Sequence, residues 1–260
     1  MGHERIGLLP KTQRWRDLVR KIGELPTQGM DVSQVAQQSA ENVRARLEHL
    51  QADGGVLAAF QFLVALSVAS RFGDPSPALA VGIQFPDKPT TLALAKSLRR
   101  WVTQRMESPE YAHIAQSAAG DAMVRWLELH ASCQIPLIEP ADEPFEAWRK
   151  TSDGAGFCEL SRLFFASLTE RYLAYFLERE ASAVLTSVED RNEFGRRLRK
   201  HIDSVSEHAF ETSKITQSFA AGWFNKHARQ AVPNEHIIAN FLRLAFGKMQ
   251  EELRREACGR

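Results

Sequence analysis

The sequence predicts an all-α protein, an irregular multi-helix bundle of roughly eight to ten helices. Apolar residues recur at spacings of three and four from Val32 to Leu253, which is the period of one helical face. Alternating runs of β-branched residues, which are typical of strands, are scarce. Gly, Pro, Ser and Asp separate the periodic segments, and no segment recurs at intervals of about 30–50 residues, so a regular solenoid is not expected.

The composition indicates a globular protein inside the cell. With 260 residues, the chain is long enough for one large helical domain or two smaller ones. Its formal net charge of +1 provides no overall field that would attract nucleic acid or a membrane surface. Three widely spaced cysteines favour reduced thiols, and the first residues lack the basic and apolar regions of a signal peptide. We therefore expect a cytoplasmic protein without membrane association and without a cofactor.

The N-terminal half, residues 1–135, should contain five helices. Asp31 with Gln34 forms a capping box that opens the second of them, and the Asp-Gly-Gly sequence that follows should end it. Ser108 before Pro109 is a typical start signal for the fifth. The five helices should cover approximately residues 12–22, 32–52, 56–71, 91–105 and 109–132, with a proline-rich loop and one short helical turn at 74–89.

The third of these helices should lie at the centre of the packing. Its apolar residues surround the helix axis instead of forming one stripe. The apolar stretch 56–69 is shorter than the roughly 20 residues that a membrane span needs, so a buried core helix is the better interpretation. The residues that we expect in the core are Phe60, Leu63, Val64 and Leu66.

Residues 136–152 divide the chain into two parts. They contain three prolines and four acidic residues and have no extended apolar period. The segment is either a linker between two helical halves or a long surface loop within one domain, and the length of the chain permits both. In the second half, residues 153–260, we expect one helix at 157–185, a continuous run at 188–228 that begins with a capping box, and a last helix at 237–253.

Several polar groups are candidate sites of catalysis or metal binding. On one predicted helix, His201, His208 and Glu211 lie one or two turns apart, but the Glu-x-x-His pairs of bundle metal sites are absent from this half, so solvated helix surface is the better interpretation. His130 and Cys133 are two ligands where a structural zinc site needs four. The glycines at 154 and 156 lack the preceding strand of a dinucleotide site and indicate a helix start.

Two basic runs are the strongest candidates for contact with nucleic acid. Each places three cations on one helical face at spacings of three and four, where they can bind phosphates, and the second run surrounds Trp101, whose ring can stack on a base. A solvated face that is balanced by nearby acids is the alternative, and the near-zero net charge favours it. The two runs are Arg196, Arg199 and Lys200, and Lys96, Arg99 and Arg100.

The segment 217–227 places small residues among large aromatic ones. Gly222 stands beside two alanines, although a glycine inside a helix costs about 1 kcal/mol relative to alanine. We therefore expect another helix to cross close to Gly222, either within the protein, which we favour, or in a partner. The residues of such a partner interface would be Phe219, Gly222, Trp223 and Phe224.

These observations lead to three hypotheses about function. The first is a non-enzymatic interaction protein, a helical subunit or adaptor of a larger intracellular assembly whose partner is another protein. The second is a nucleic-acid-binding protein that uses basic helical faces, and the third is an enzyme with a His/Glu site in the bundle. The sequence contains no recognisable catalytic signature, and it does not define the oligomeric state.

Overall fold

The described part of the chain folds into helices alone. The structure is a computed structural model that describes residues 13–28, 32–42, 50–87, 89–130, 145–211 and 218–258. Helices account for 83% of these residues, and no strand occurs among them, which confirms the predicted fold class. In chain order the helices are α1 (Gln13–Gln28), α2 (Val32–Asn42), α3 (Gly54–Phe72), α4 (Ser76–Leu79), α5 (Thr91–Thr103), α6 (Pro109–His130), a 3-10 helix (Glu146–Ser152), α7 (Gly154–Val184), α8 (Val188–Glu211), α9 (Phe219–His227) and α10 (Glu235–Ala257).

Most helix starts follow the capping signals in the sequence. The Thr90 hydroxyl accepts a hydrogen bond from the Ala93 amide at the start of α5, at 3.2 Å. The Ser187 hydroxyl accepts one from the Asp190 amide at the start of α8, at 3.0 Å. Helix α6 begins at Pro109, as predicted. Asp31 lies outside the described residues.

Asp53 opens a helix, whereas the sequence pattern predicted that it helps to end one. Its Oδ1 accepts hydrogen bonds from the amides of Gly55 at 2.8 Å and Val56 at 3.2 Å, so Asp53 is the N-cap of α3. Its Oδ2 accepts a further bond from the Ser108 amide at 3.2 Å, just before α6. One carboxylate therefore holds the starts of two helices together. Burial raises the pKa of Asp53.

The glycines after Asp53 are required by the packing of other helices against the start of α3. A Cβ atom on Gly54 would lie 2.5 Å from the Arg105 carbonyl oxygen, just beyond α5. One on Gly55 would lie 2.8 Å from the Ala112 Cβ in α6. Because real Cβ atoms do not approach so closely, larger residues at either position would push α3 away from its neighbours.

Helix α3 is the centre of the core, as predicted. The Phe60 ring stacks on Phe241 of α10 at 5.2 Å and contacts Phe165 of α7 at 5.4 Å. By length and hydropathy α3 also resembles a membrane span, but 83% of its most apolar window is buried inside the protein. The four predicted core residues are completely buried, namely Phe60, Leu63, Val64 and Leu66.

Helices from both parts of the chain contribute to this core. Helix α6 packs along α7, and the 3-10 helix packs against α3 and buries Trp148. The Arg71 guanidinium, at the end of α3, donates to the Ser152 carbonyl at 2.9 Å and to the Arg229 carbonyl at 2.7 Å. It also lies 5.0 Å from the Phe224 ring. Residues 131–144, which include most of the predicted linker, lie outside the described residues.

The continuous run predicted at 188–228 is divided into two helices. Helix α8 includes residues up to Glu211, and residues 212–217 lie outside the described residues. Ser218 then caps α9, because its hydroxyl accepts a hydrogen bond from the Ala221 amide at 3.1 Å. The apolar period continues across this break, so periodicity alone did not locate it.

Candidate functional site

Helix α5 carries three exposed cations, Lys96, Arg99 and Arg100. Together with the exposed Leu92 they form a surface that we call the basic face. The opposite side of the helix is buried. At about 100° per residue, the four residues of the basic face lie within an arc of about 100°. None of the three cations forms a hydrogen bond or an ion pair with any residue in the described ranges. The sequence contains no acidic residue between Asp87 and Glu107, so the helix itself provides no counter-charge.

Trp101, which was predicted to support base stacking beside these cations, is buried. Only 4% of it is exposed, and its indole N–H donates to the Ala58 carbonyl at 3.0 Å. The Arg105 guanidinium covers its ring at 3.2 Å from the ring centre, and desolvation lowers the pKa of Arg105. The basic face therefore presents positive charge and one leucine side chain, without an accessible aromatic ring.

Most cations of the basic run on α8 are paired with acidic neighbours. Arg196 donates to both carboxylate oxygens of Glu193, at 2.8 and 2.7 Å, and Arg197 donates to the same group at 2.7 Å. The hydrogen bonds from Arg196 and Arg197 lower the pKa of Glu193 to about 2. Arg199 donates to a carboxylate of α7 at 3.0 Å. Of these four cations, only Lys200 has no partner within the described ranges.

The aromatic residues around Gly222 belong to the core of the protein. Phe224 is completely buried and stacks on Phe157 at 4.2 Å. Phe219 and Trp223 are partly buried, and both rings contact Phe241, at 5.2 and 4.6 Å. The prediction that Phe224 forms part of a partner interface is wrong, because the folded chain itself covers this side chain.

The close helix crossing lies beside Gly222 and not at it. Gly222 is exposed, and no atom of the described residues lies within 4 Å of the position that its Cβ would occupy. The predicted internal crossing at this residue is therefore wrong. The crossing is formed by Gly154 at the start of α7, whose Cβ would lie 2.7 Å from Asn225 Nδ2 and 3.1 Å from Ala221 Cβ. Successive residues of a helix point about 100° apart, so Ala221 faces the start of α7 and Gly222 does not.

The weak metal candidates on α8 lie near no further set of metal ligands among the described residues. His201 and His208 are partly buried, and the His208 Nδ1 lies 2.9 Å from a carbonyl oxygen of its own helix. The side chain of Glu211 lies outside the described residues. In the parts of the chain that the structure describes, no three His, Cys, Asp or Glu side chains are placed to hold a metal ion.

Two further polar groups have structural partners. His130 Nε2 lies 2.8 Å from Glu159 Oε2, and Cys133 lies outside the described residues. The Asp153 carboxylate accepts a hydrogen bond from the Gly156 amide at 2.7 Å and so occupies the start of α7. These contacts assign the first group to helix packing and the second to helix capping.

A cleft of about 630 Å³ lies between α6, α7 and α8, and sequence reasoning singled out only one of its charged residues, Arg199. Its floor includes Asp121, whose Oδ2 accepts hydrogen bonds from Ser167 Oγ and Arg171 Nε, both at 2.7 Å. The sequence signal that could have located the cleft is a charged stripe on α6, in which Asp121, Arg125 and Glu128 follow one another at spacings of four and three. The charged lining residues are Asp121, Arg125, Glu128, Glu170, Arg171 and Arg199.

Comparisons of the chain with protein-family models, with curated proteins and with solved structures each found no match. The function must therefore be inferred from the residues of the protein itself. Within the described ranges, the basic face of α5 and the cleft between α6, α7 and α8 both combine accessible charge with unused hydrogen-bonding groups.

Proposed function

We propose that the protein is a helical interaction subunit that binds an acidic surface of another protein through the basic face of α5. The supporting observation is the exposure of Lys96, Arg99 and Arg100 without a carboxylate partner in the described ranges. Three neighbouring cations repel one another, and carboxylates of a partner would relieve this repulsion. Complementary charge also accelerates association and orients the two surfaces.

Leu92 favours a protein partner over nucleic acid. Its side chain is 50% exposed and precedes Lys96 by one turn, so it can make an apolar contact inside a polar rim. From Leu92 to Arg100 the basic face extends about 12 Å along the helix axis, which matches about two turns of a partner helix. Three cations are few for nucleic acid, and the net charge of +1 adds little long-range attraction.

Nucleic acid remains the second candidate, because the same three cations are spaced to contact phosphates. For such binding, a plot of the logarithm of the association constant against the logarithm of the salt concentration should have a slope no steeper than about −3. Each neutralised phosphate contributes about −0.9 to that slope. The binding would not discriminate between sequences, because side chains that contact phosphates do not read bases. An enzyme with a His/Glu site gains no support from the described geometry.

Zero-length cross-linking tests the proposal directly. A carbodiimide joins a lysine amine to a carboxylate that it contacts, and Lys96 is the one lysine of the basic face. Applied to native lysate, it should link Lys96 of the wild-type protein to an aspartate or glutamate of a partner. The variant with Lys96→Glu, Arg99→Glu and Arg100→Glu should lose this partner.

The matched control reverses the same amount of charge on α8, with Arg196→Glu, Arg197→Glu and Lys200→Glu. It should retain the partner, and circular dichroism should show both variants folded. Capture that survives reversal of the basic face would refute the proposal. If the wild type instead shifts an RNA or DNA oligonucleotide at low salt, and reversal of the basic face abolishes that shift, nucleic acid replaces the acidic protein as the partner.

A further inference from the structure

The cleft between α6, α7 and α8 is lined by charges of both signs, and five of its lining residues take part in three interhelical ion pairs. Their side chains are between 17% and 60% exposed, so a ligand in the cleft can reach them. The pairs join Asp121 to Arg171 at 2.7 Å, Glu170 to Arg199 at 3.0 Å, and Arg125 to Asp203 at 3.0 Å.

These pairs leave hydrogen-bonding groups unused. Arg171 donates from both Nε and Nη2 to the same oxygen of Asp121, which leaves Arg171 Nη1 and Asp121 Oδ1 without a partner in the described ranges. Arg199 uses only Nε, and Arg125 uses only Nη1. Glu128 lines the same cleft, is exposed, and has no partner within the described part of the chain. The cleft therefore offers acceptors and donors to a ligand at the same time.

We propose that this cleft binds a small zwitterionic ligand, namely a short peptide with a free amino terminus and a free carboxyl terminus. A ligand of one sign would be repelled by half of the interspersed charges and attracted by the other half. A ligand that carries both an ammonium and a carboxylate group gains from both sets. The ammonium would bind the unpaired Glu128, and the carboxylate would bind the free N–H groups of Arg171.

The spacing along α6 sets the size of the ligand. Glu128 follows Asp121, the partner of Arg171, by seven residues, which is about 10 Å along a helix axis. An extended tripeptide spans about 10 Å. The cleft volume of about 630 Å³ falls within the range of small-ligand sites. This site is independent of the basic face of α5.

Calorimetric titration with trialanine tests the proposal. Free trialanine should bind at low ionic strength with a millimolar or tighter Kd, and N-acetyl-trialanine and trialanine amide, each with one charge, should bind about tenfold more weakly. Glu128→Gln and Arg171→Gln should each weaken trialanine binding by about tenfold. Glu128 forms no contact that the described fold depends on, so Glu128→Gln keeps the test valid if Arg171→Gln does not fold.

Arg197→Gln is the matched control. Arg197 is also a paired surface arginine, with 49% of its side chain exposed against 41% for Arg171, but it does not line the cleft. Its replacement should leave trialanine binding unchanged. The proposal is overturned if millimolar trialanine does not bind, if the amide binds as tightly as the free peptide, or if Arg197→Gln weakens binding as much as Arg171→Gln does.

Discussion

One added methyl group should destabilise the protein at Gly156 and stabilise it at Gly222. Both glycines lie in helices, where propensity alone favours alanine by about 1 kcal/mol. At Gly156, however, the new Cβ would overlap the Lys150 carbonyl oxygen, so the 3-10 helix would have to move away from α7. Such overpacking costs about 1–3 kcal/mol or more. At Gly222 the Cβ would meet no atom of the described residues within 4 Å, so a gain of about 0.4–1 kcal/mol is expected.

Urea unfolding followed by circular dichroism measures both effects on the same scale. The free energies of unfolding of Gly156→Ala and Gly222→Ala should differ by at least about 1.4 kcal/mol, which corresponds to a separation of about 3–6 °C in Tm. Gly195→Ala is a second open position, because no described atom lies within 4 Å of its Cβ, and it should behave like Gly222→Ala. If Gly156→Ala is as stable as these two variants, the close contact between the 3-10 helix and α7 is refuted.

Three further perturbations test the core and the charged groups. Leu63→Ala should lower the free energy of unfolding by about 2–5 kcal/mol in urea melts, whereas Leu92→Ala, at a residue that is 50% exposed, should change it by less than about 0.5 kcal/mol. Burial raises the pKa of Asp53 above 3.8, so its contribution to stability should decline as the pH rises from 3.8 through the folded pKa, and unfolding curves of Asp53→Asn should lack this decline. The opposite holds for Glu193, whose pKa falls from 4.5 to about 2 because Arg196 and Arg197 donate hydrogen bonds to it. Its stabilisation should be complete above pH 4.5 and lost as the pH falls towards 2, and an NMR titration that places its pKa near 4.5 would contradict the ion pairs.

The fold class and the central helix could be predicted from the sequence because both depend on local periodicity. The apolar residues around Phe60 surround the helix axis because of the local sequence alone, so no distant contact is needed to predict that this helix is buried. Two boundaries could not be predicted in this way. Asp53 precedes two glycines, a pattern that can end one helix or begin the next, and Ser218 lies within an apolar period that continues on both sides. Only the hydrogen bonds that their side chains accept identify both residues as N-caps.

The candidate surfaces depended more strongly on distant contacts. The spacing of Lys96, Arg99 and Arg100 correctly places them on one side of α5. Helical spacing does not show whether a cation has an acidic partner, because that partner can lie on another helix. The partner of Arg199, for example, stands 29 residues away in the sequence. The internal crossing at Gly222 could not be predicted for a similar reason, since the helix that crosses α9 was identified only by the packing of α7. The alternative, a partner that crosses at the exposed Gly222, stays a prediction.

Arg71 joins the ends of two helices that are far apart in the sequence. It donates to Ser152, 81 residues away, and to Ala228, 157 residues away, at carbonyls near helix ends. Such carbonyls have no partner within their own helix, so displacement of the one guanidinium removes a hydrogen-bond donor from both helix ends at once. The 3-10 helix and the last turn of α9 should therefore open as one cooperative unit, with a common free energy of opening in native-state hydrogen exchange. A ligand or substitution that opens one of these segments would then also open the other, although the chain between them includes the long helices α7 and α8.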